Sequence, residues 1–388
     1  MSDPASLIFK DNRPADAVGV HAVVIGVGHY AHLPGGNSHR FADHEGMVQL
    51  SSPPRSAEHI AKWLLDTYHD DQSMPLRSMH MLVSKKGAAQ KFHHKHCPES
   101  EIASATLGNI KKAARDWFRR SDENAQNLLL FYFCGHGISA GMQHTLLSTD
   151  FGEDTLAPFE NAVNFTDFHL GMGRCKAQSQ VYFVDACRSI SKNLIEQSAS
   201  FGDSLIPGVT PIVQKTAPVF LSAQPGEKAM GLPREPSAFA QALPLAFKGG
   251  AWDKVDGEWV VCTSMLRRAL ERQTRRVMRA FPNFNFEVGG YADATITIKR
   301  PEGEPVVPVD LGGRPDTDHN LLELAYEPDG TNAQVIKEVN NDEVWLIDLT
   351  EGDYEFSAKF QNAAGQQKVV TLRKFVSPQN VSERLRLS

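Results

Sequence analysis

The chain has 388 residues, a formal net charge of −6 and 41% hydrophobic residues. It is long enough for one large and one smaller domain, and its negative charge gives no general attraction to nucleic acid or an anionic membrane. Five cysteines, an odd number at irregular spacing, argue against a disulfide framework. We see no signal peptide and no apolar run of about 18 residues, so we expect no membrane span and a cytoplasmic protein.

In chain order, the first half alternates between strand and helix patterns. Residues 1–19 show no regular pattern, and we expect a loose arm there. A strand is predicted at 21–26 and another at 79–83, because both are short apolar runs. Apolar residues recur at helical spacing over 56–68 and 107–120, which predicts two helices with one buried face each.

The stretch Lys91–Pro98 (KFHHKHCP) combines three histidines and a cysteine. Such residues can bind zinc, but here the ligands are crowded, two lysines interleave, and no second ligand pair follows at the usual spacing. We therefore favour a solvated loop and expect no metal site.

Two later strand-like runs end in residues that can do chemistry. FYFCGHG (131–137) ends with His136 between two glycines, and VYFVDACRS (181–189) places Cys187 after an acid and a small residue. The carboxyl ends of strands in an open α/β sheet share one edge, so the two side chains are expected to face each other. A cysteine acts as a nucleophile when an imidazole takes its proton. The alternative is a buried core cysteine and a turn histidine.

The order of these patterns predicts the fold class: α/β, a mostly parallel sheet flanked by helices. A further strand at 218–223 and helices at 237–247 and 263–281 complete a domain over residues 1–282. Beyond it, short alternating runs without helices predict a smaller all-β sandwich domain over 283–388. We expect this second domain to be regulatory or partner-binding, with a purely structural role as the alternative.

The helix predicted at 263–281 is strongly basic, with arginines at 267, 268, 272, 275, 276 and 279. A basic helical face can bind nucleic acid, but no aromatic residues interleave with these arginines. A solvated face, or one that docks on an acidic partner, is favoured, and nucleic acid is not an expected partner.

The two chemistry-bearing motifs resemble those of the caspase and metacaspase superfamily of cysteine peptidases. In that family a GHG-type motif supplies the catalytic histidine and a DAC or QAC motif supplies the nucleophile. AVVIGVGHY (22–30) resembles the family's first strand, and VFLSAQPGEKA (219–229) resembles the strand and loop after the nucleophile. The likeness covers about the first 280 residues and rests on several motifs in the same order.

The resemblance implies a cysteine endopeptidase with a Cys187–His136 dyad. Cys187 would attack a peptide carbonyl, His136 would protonate the leaving amine, and the backbone N–H groups of Gly137 and Cys187 would form the oxyanion hole. No cofactor is required. Some metacaspases depend on calcium, but these residues do not indicate whether this chain does.

Specificity is predicted from the residue two positions before the nucleophile. Metacaspases have an aspartate there and bind arginine or lysine, so Asp185 predicts a basic P1 residue, the residue on the amino side of the cleaved bond. Cys134 stands where a pocket-lining serine is frequent, and Asp150 resembles an acid that recurs after the catalytic histidine. The family's pocket aspartate near Arg55–Ser56 is missing, with Asp43 or Glu45 as candidate replacements.

These assignments leave alternatives open. Asp185 alternatively caps its strand end, which would permit a non-basic P1 preference. The segment 189–217 is a candidate processing linker with Lys192 and Lys215 as candidate self-cleavage points. Protein substrates and an upstream activator are the expected partners, and the resemblance implies a prokaryotic stress or defence role. The competing function is a catalytically silent caspase-like scaffold whose β domain binds a protein.

Overall fold

The computed structural model describes residues 5–87, 90–140, 143–186, 201–207, 217–223, 234–279, 287–291, 295–313, 319–341, 343–378 and 385–387. The chain divides into two compact units. One consists of Met1–Pro244 with Gln273–Ile296, and the other of Leu245–Arg272 with Thr297–Ser388. This division differs from the predicted boundary after residue 282 because Leu245–Arg272 group with the C-terminal strands.

The first unit is built on a seven-stranded sheet. In spatial order its strands are β1 (Leu7–Lys10), β3 (Leu76–Ser84), β2 (Val20–Val27), β6 (Leu128–Gly135), β10 (Ser179–Ala186), β11 (Val219–Leu221) and β14 (Gly289–Tyr291). The central strands β3 to β11 pair in parallel, and the edge strands β1 and β14 pair antiparallel. The predicted α/β class with a mostly parallel sheet is confirmed. Strand β1 lies within the segment predicted as a loose arm.

The central strands are continuous apolar runs because helices cover them. Strands β2, β3 and β6 are buried along their whole length, which is typical of parallel strands in a covered sheet. The described helices are α1 (Ser52–Tyr68), α2 (Leu107–Ser121), α3 (Phe165–Met172), α4 (Ala238–Leu245) and α5 (Thr263–Val277). Both α1 and α2 pack on β2 and β3. Within the described residues, no helix combines the length and the apolar character needed to cross a membrane.

The first unit also contains shorter strands that form two separate small sheets. Strands β4 (Gln90–His94) and β5 (Cys97–Ile102) form an antiparallel hairpin, and β7 (Gly137–Ala140), β8 (Gln143–Leu147) and β9 (Ala162–Asn164) form a small sheet. The hairpin occupies the stretch predicted as a solvated loop. Its strand character comes from alternation: Gln90 and Phe92 are buried, whereas Lys91 and His93 are exposed.

The second unit contains three further sheets. They are β12 (Trp252–Val255), β13 (Glu258–Cys262) and β15 (Thr297–Lys299); β19 (Val344–Thr350), β16 (Val306–Gly313) and β22 (Leu385–Leu387); and β18 (Val335–Glu338), β17 (His319–Pro328), β20 (Gly352–Asn362) and β21 (Gln367–Val376). All pairs are antiparallel except β16 with β22. The last two sheets share one apolar core, with Val309 from one and Phe356 from the other. This is the predicted sandwich.

Candidate active site

The strands that carry the two catalytic motifs lie side by side. β6 and β10 pair in parallel along their full length, and the last two partners are Asp185 with Cys134 and Ala186 with Gly135. His136 directly follows Gly135 in the sequence. The structure therefore brings the carboxyl ends of both motif strands to one place on the sheet edge, as open α/β sheets do at their ligand sites.

Cys187 follows Ala186 in the sequence and lies outside the described residues. The candidate cleavage residues Lys192 and Lys215 also lie outside them. Ala186 is fully buried in strand β10, so the strand that leads to the predicted nucleophile is held in the sheet up to its last residue.

His136 is held by contacts with Tyr30 and Val48. Its backbone N–H donates to the Tyr30 hydroxyl at 2.7 Å, and its ring lies 4.8 Å from the Tyr30 ring between centroids. Its Nε2 lies 2.7 Å from the carbonyl oxygen of Val48. A carbonyl only accepts, so Nε2 must carry the hydrogen of that bond. In the neutral ring, Nδ1 is then the nitrogen with the lone pair, the one that can accept a proton.

A second layer of contacts holds these partners in place. The Tyr30 N–H donates to Gln49 Oε1 at 2.8 Å, and Gln49 Nε2 donates to the Tyr30 carbonyl at 2.9 Å. Gln49 is the neighbour of Val48, so this pair of bonds fixes the loop that supplies the carbonyl to His136. A Cβ atom on Gly135 would lie 2.8 Å from the Tyr30 hydroxyl oxygen, which explains the glycine before His136.

The protonation state of His136 follows from its burial. Loss of solvent lowers the pKa of His136 below its ordinary value, and the hydrogen bond to the Val48 carbonyl opposes this shift only in part. Burial disfavours the charged imidazolium, so the ring is neutral at neutral pH. A neutral imidazole with a fixed Nε2–H is the form that can act as a general base through Nδ1.

Asp185 is a buried acid held by neutral donors. Asp185 is only 2% exposed. Three groups donate hydrogen bonds to its Oδ2: the Tyr132 hydroxyl at 3.1 Å, the Cys134 thiol at 3.3 Å and the Ser237 hydroxyl. Burial raises the pKa of Asp185, while these hydrogen bonds work in the opposite direction. The hydrogen-bond donors found for this carboxylate in the described part of the chain are all uncharged.

Two serines, to which the sequence assigned no role, complete this cluster. The Ser237 N–H donates to the Ser56 hydroxyl oxygen at 2.9 Å, and the Ser56 hydroxyl donates to the Ser52 carbonyl at 3.0 Å. Ser56 lies where the family's second pocket aspartate was expected, so a hydroxyl stands in place of an acid. The suggested replacements, Asp43 and Glu45, are exposed. No sequence signal pointed to Ser237, which is 52 residues from Asp185.

The remaining predicted site residues occupy distinct places. Both carboxylate oxygens of Asp150 accept from the Leu107 N–H, at 3.0 and 3.3 Å, and Oδ1 also accepts from the Ser148 hydroxyl at 2.6 Å. Asp150 therefore stabilises the N-terminus of α2. Gly137 begins β7 and pairs with Leu146 on β8. Of the predicted pocket residues, the structure brings Cys134 onto Asp185 and places Asp150 on a helix end.

A groove of about 360 Å³ opens beside the loop that holds His136. Gln49 and Leu50 line it, next to Val48, together with Gly28 at the end of β2. Its walls also include the basic residues Arg55, Lys85, Lys86 and Lys91 and one acid, Glu58. Its position at the carboxyl ends of β2 and β3 makes it a second candidate surface for a bound peptide.

The chain is similar in sequence or structure to several known proteins. A family model described as Caspase domain matches residues 20–288. The uncharacterized protein y4kE of Sinorhizobium fredii is 37% identical over 128 residues, which cover 32% of this chain and 35% of that protein, so the match spans about a third of the relative's length. Caspase-1 of Spodoptera frugiperda aligns in structure with a TM-score of 0.37 and 11% identity, over 69% of this chain and 83% of that chain. Because the family model spans more than half of the sequence, the chain belongs to the caspase-domain family of cysteine peptidases.

Proposed function

We propose that the protein is a cysteine endopeptidase in which Cys187 is the nucleophile and His136 is the acid–base partner. One observation carries the proposal: the parallel register of β6 and β10 pairs Gly135 with Ala186, the residues directly before His136 and Cys187. The hydrogen bond from Nε2–H of His136 to the Val48 carbonyl supports the proposal, because this bond leaves Nδ1 as the proton acceptor.

The reaction follows the ordinary course of a thiol peptidase. The Cys187 thiol gives its proton to Nδ1 of His136, and the thiolate forms a bond to the scissile carbonyl carbon. The resulting imidazolium then gives the proton to the amine as the C–N bond breaks, which leaves an acyl-enzyme. Neutral His136 takes a proton from water as the water oxygen forms the new C–O bond. The C–S bond then breaks, and the released thiolate takes that proton back from His136, which restores the thiol and the neutral imidazole. No cofactor enters these steps.

The oxyanion hole is the part of the mechanism taken from the family likeness. Backbone N–H groups of Gly137 and Cys187 would stabilise the negative charge on the carbonyl oxygen in the tetrahedral state. Gly137 directly follows His136, so this assignment places the donor beside the acid–base residue in the sequence.

For the P1 residue we propose an arginine or lysine that pairs with Asp185, with Cys134 beside it. Asp185 is buried, its pKa is raised, and its described hydrogen-bond donors are neutral, so an incoming cation would supply the missing countercharge. An ion pair formed in a site of low dielectric is strong only if it is well hydrogen-bonded, and three donors already hold the carboxylate. Asp150 is left out of this pocket because it caps α2.

The groove beside Val48 favours an acidic residue elsewhere in the substrate. Its basic residues, Arg55, Lys85, Lys86 and Lys91, would attract an acidic substrate residue. A basic P1 residue at Asp185 and an acidic residue elsewhere on the same peptide are compatible. A non-basic P1 preference is the competing arrangement, and the substrate series below separates the two.

The test is hydrolysis of fluorogenic peptides that end in Arg, Lys, Asp or Leu before the fluorophore. We expect turnover of the Arg and Lys peptides, and a loss of about 10⁴-fold or more in kcat/KM for Cys187→Ala and for His136→Ala. Cys262→Ser and His93→Gln are matched controls in the second unit and in the β4–β5 hairpin, and both should keep wild-type activity. Cleavage after Asp alone contradicts the pocket assignment. Folded protein that cleaves none of the peptides favours the silent scaffold, with the all-β unit as the partner-binding part.

Self-processing is a separate part of the proposal. If the enzyme cleaves after basic residues, Lys192 and Lys215 are the proposed cleavage points, because they lie in the segment where related peptidases are cut. Wild-type protein should accumulate fragments with these ends, and Cys187→Ala protein should remain intact. Intact wild-type protein that still hydrolyses the peptides contradicts self-processing and leaves the peptidase proposal standing.

A further inference from the structure

A group of histidines and aspartates gathers at the end of α1, on the first unit. His69 and Asp70 directly follow the last residue of α1, Tyr68, and His96 lies in the turn between β4 and β5. One ligand atom from each of His69, Asp70 and His96 lies within 4.8 Å of the others. The chain has thus brought together two imidazoles and a carboxylate from segments about 25 residues apart, a set of ligands that transition metals prefer.

The Asp70 carboxylate has one oxygen near a ring nitrogen of each histidine. Its Oδ1 lies 2.6 Å from Nδ1 of His69, and its Oδ2 lies 3.9 Å from Nε2 of His96. The rings of His69 and His96 are stacked, with centroids 3.8 Å apart and planes 18° from parallel. A neutral imidazole is the form that binds a metal.

A second acid and a third histidine flank these residues. His94 Nε2 lies 3.3 Å from Asp66 Oδ1, and the His96 N–H donates to His94 Nδ1 at 3.3 Å. His94 thereby holds the turn that presents His96. Lys95 Nζ is 3.1 Å from Asp66 Oδ1 and is the cation nearest to this second acid among the ion pairs of the described chain. Because Asp66 is already paired with Lys95, Asp70 is the acid that would attract a divalent cation here.

The distances allow a metal with only side-chain movement. Ligands bound about 2.1 Å from a tetrahedral ion lie roughly 3.4 Å apart, so the ligand atoms must approach each other by up to about 1.4 Å. The Asp70 side chain is 78% exposed, and those of His69 and His96 are 30% and 22% exposed, which leaves room for rotation. Solvent can reach such a site and complete the coordination with water.

We propose that His69, Asp70 and His96 bind a divalent transition-metal ion of the Zn²⁺ class, with water as the fourth ligand. The ion replaces the contact between His69 and Asp70 and links the end of α1 to the β4–β5 hairpin. Because ligands from two segments meet on one ion, binding stabilises the folded chain over the unfolded chain. This site is separate from the proposed peptidase reaction, and its occupancy does not depend on catalysis.

The test uses the full-length Cys187→Ala protein, so that the reactive thiol cannot bind the metal. After treatment with a chelator, Zn²⁺ is added at pH 7.5 and binding is measured by titration calorimetry. We expect one site that is weakened at least about tenfold in His69→Gln and in His96→Gln and is unchanged in His93→Gln, an exposed histidine on the same hairpin. Zn²⁺ should raise the melting temperature of the parent and of His93→Gln, but much less that of the other two variants.

Cu²⁺ provides a second readout that a general loss of stability would not change. Its electron paramagnetic resonance spectrum should show hyperfine splitting from two nitrogens in the parent and from one in His69→Gln or His96→Gln. Melting temperatures without metal show whether each variant is folded. No Zn²⁺ binding by the parent, or equal affinity in all four proteins, would overturn the proposal, since the latter places the ion elsewhere on the chain.

Discussion

The two ends of α1 place ionisable groups in opposite surroundings. At its N-terminal end, Ser56 contacts Ser237, which in turn donates to Asp185, a residue that is only 2% exposed. At its C-terminal end, the side chain of Asp70 is 78% exposed. Burial at the first end holds the hydrogen-bond donors in place and disfavours a charged side chain. Exposure at the second leaves side chains that can rearrange around a ligand.

Burial also shifts the pKa values at the first end. At the buried end the pKa of Asp185 is raised and that of His136 is lowered, both because burial disfavours the charged form. In the proposed function these shifts would serve two roles: Asp185 would pair with a substrate cation, and His136 would accept the thiol proton. The exposed histidines and acids gain more from a metal ion, which needs neutral imidazoles and movable oxygens.

Among variants that keep both Cys187 and His136, the largest effect is expected from Asp185→Asn. If the carboxylate pairs with a cationic P1 residue, this change should lower kcat/KM for Arg and Lys peptides by about 100-fold, or roughly 3 kcal/mol, and leave a Leu peptide unchanged. The raised pKa means that the charged form opposes folding at neutral pH, so the variant should unfold at a temperature close to that of the wild type. Kinetics with the three peptides and thermal unfolding are the measurements.

Asp150→Asn is the matched control for that experiment. Its amide oxygen can still accept from the Leu107 N–H, so a loss of about 1 kcal/mol or less in the free energy of unfolding is expected, without a change in peptide preference. An equal fall in activity on all peptides for Asp185→Asn would show that the buried acid is structural and that the P1 residue is recognised elsewhere.

A smaller effect is expected from Tyr30→Phe. The change removes the hydroxyl that accepts from the His136 N–H at 2.7 Å and keeps the ring that packs on the imidazole. A buried N–H without a partner costs about 1–3 kcal/mol, and a less firmly held His136 should lower kcat about tenfold with little change in KM. Steady-state kinetics and denaturant unfolding measure both quantities.

Tyr68→Phe, in the last turn of α1, is the comparison for Tyr30→Phe. Tyr68 is also fully buried, so the change should reduce stability, but it lies far along the helix from His136 and should leave kcat unchanged. Equal losses of kcat in the two variants would contradict a specific role for the Tyr30 hydroxyl in positioning His136.

The sequence predicted the elements of the buried end well because its signals are local. FYFCGHG and VYFVDACRS are apolar runs with chemistry at their carboxyl ends, and parallel pairing brings such ends together without further information. The partners of His136 and Asp185 were not predictable in the same way. Val48 contributes a backbone carbonyl, which any residue could supply, and Ser237 is an ordinary serine in a loop.

At the exposed end, the solvated loop predicted for Lys91–Pro98 is wrong, because these residues belong to the β4–β5 hairpin. The prediction of no metal site rests on the spacings of known zinc motifs and stays a prediction. The structure places His69 and Asp70 against His96 through the packing of α1 and a hairpin, and no sequence spacing encodes that contact. Buried and exposed residues alternate over 90–94, as in a strand, but the run is short and mostly polar, so its sequence does not show this pattern clearly.

The smallest expected effect is a shift in pH dependence. The lowered pKa of His136 means that the ring accepts a proton only below the ordinary value of about 6.5, so the acid limb of kcat/KM should have its midpoint below that value. Stability should fall in the same direction, because the unfolded chain binds the proton first as the pH decreases. His69→Gln, at the other end of α1, should leave the acid limb unmoved. A midpoint at or above 6.5 would contradict the buried neutral imidazole.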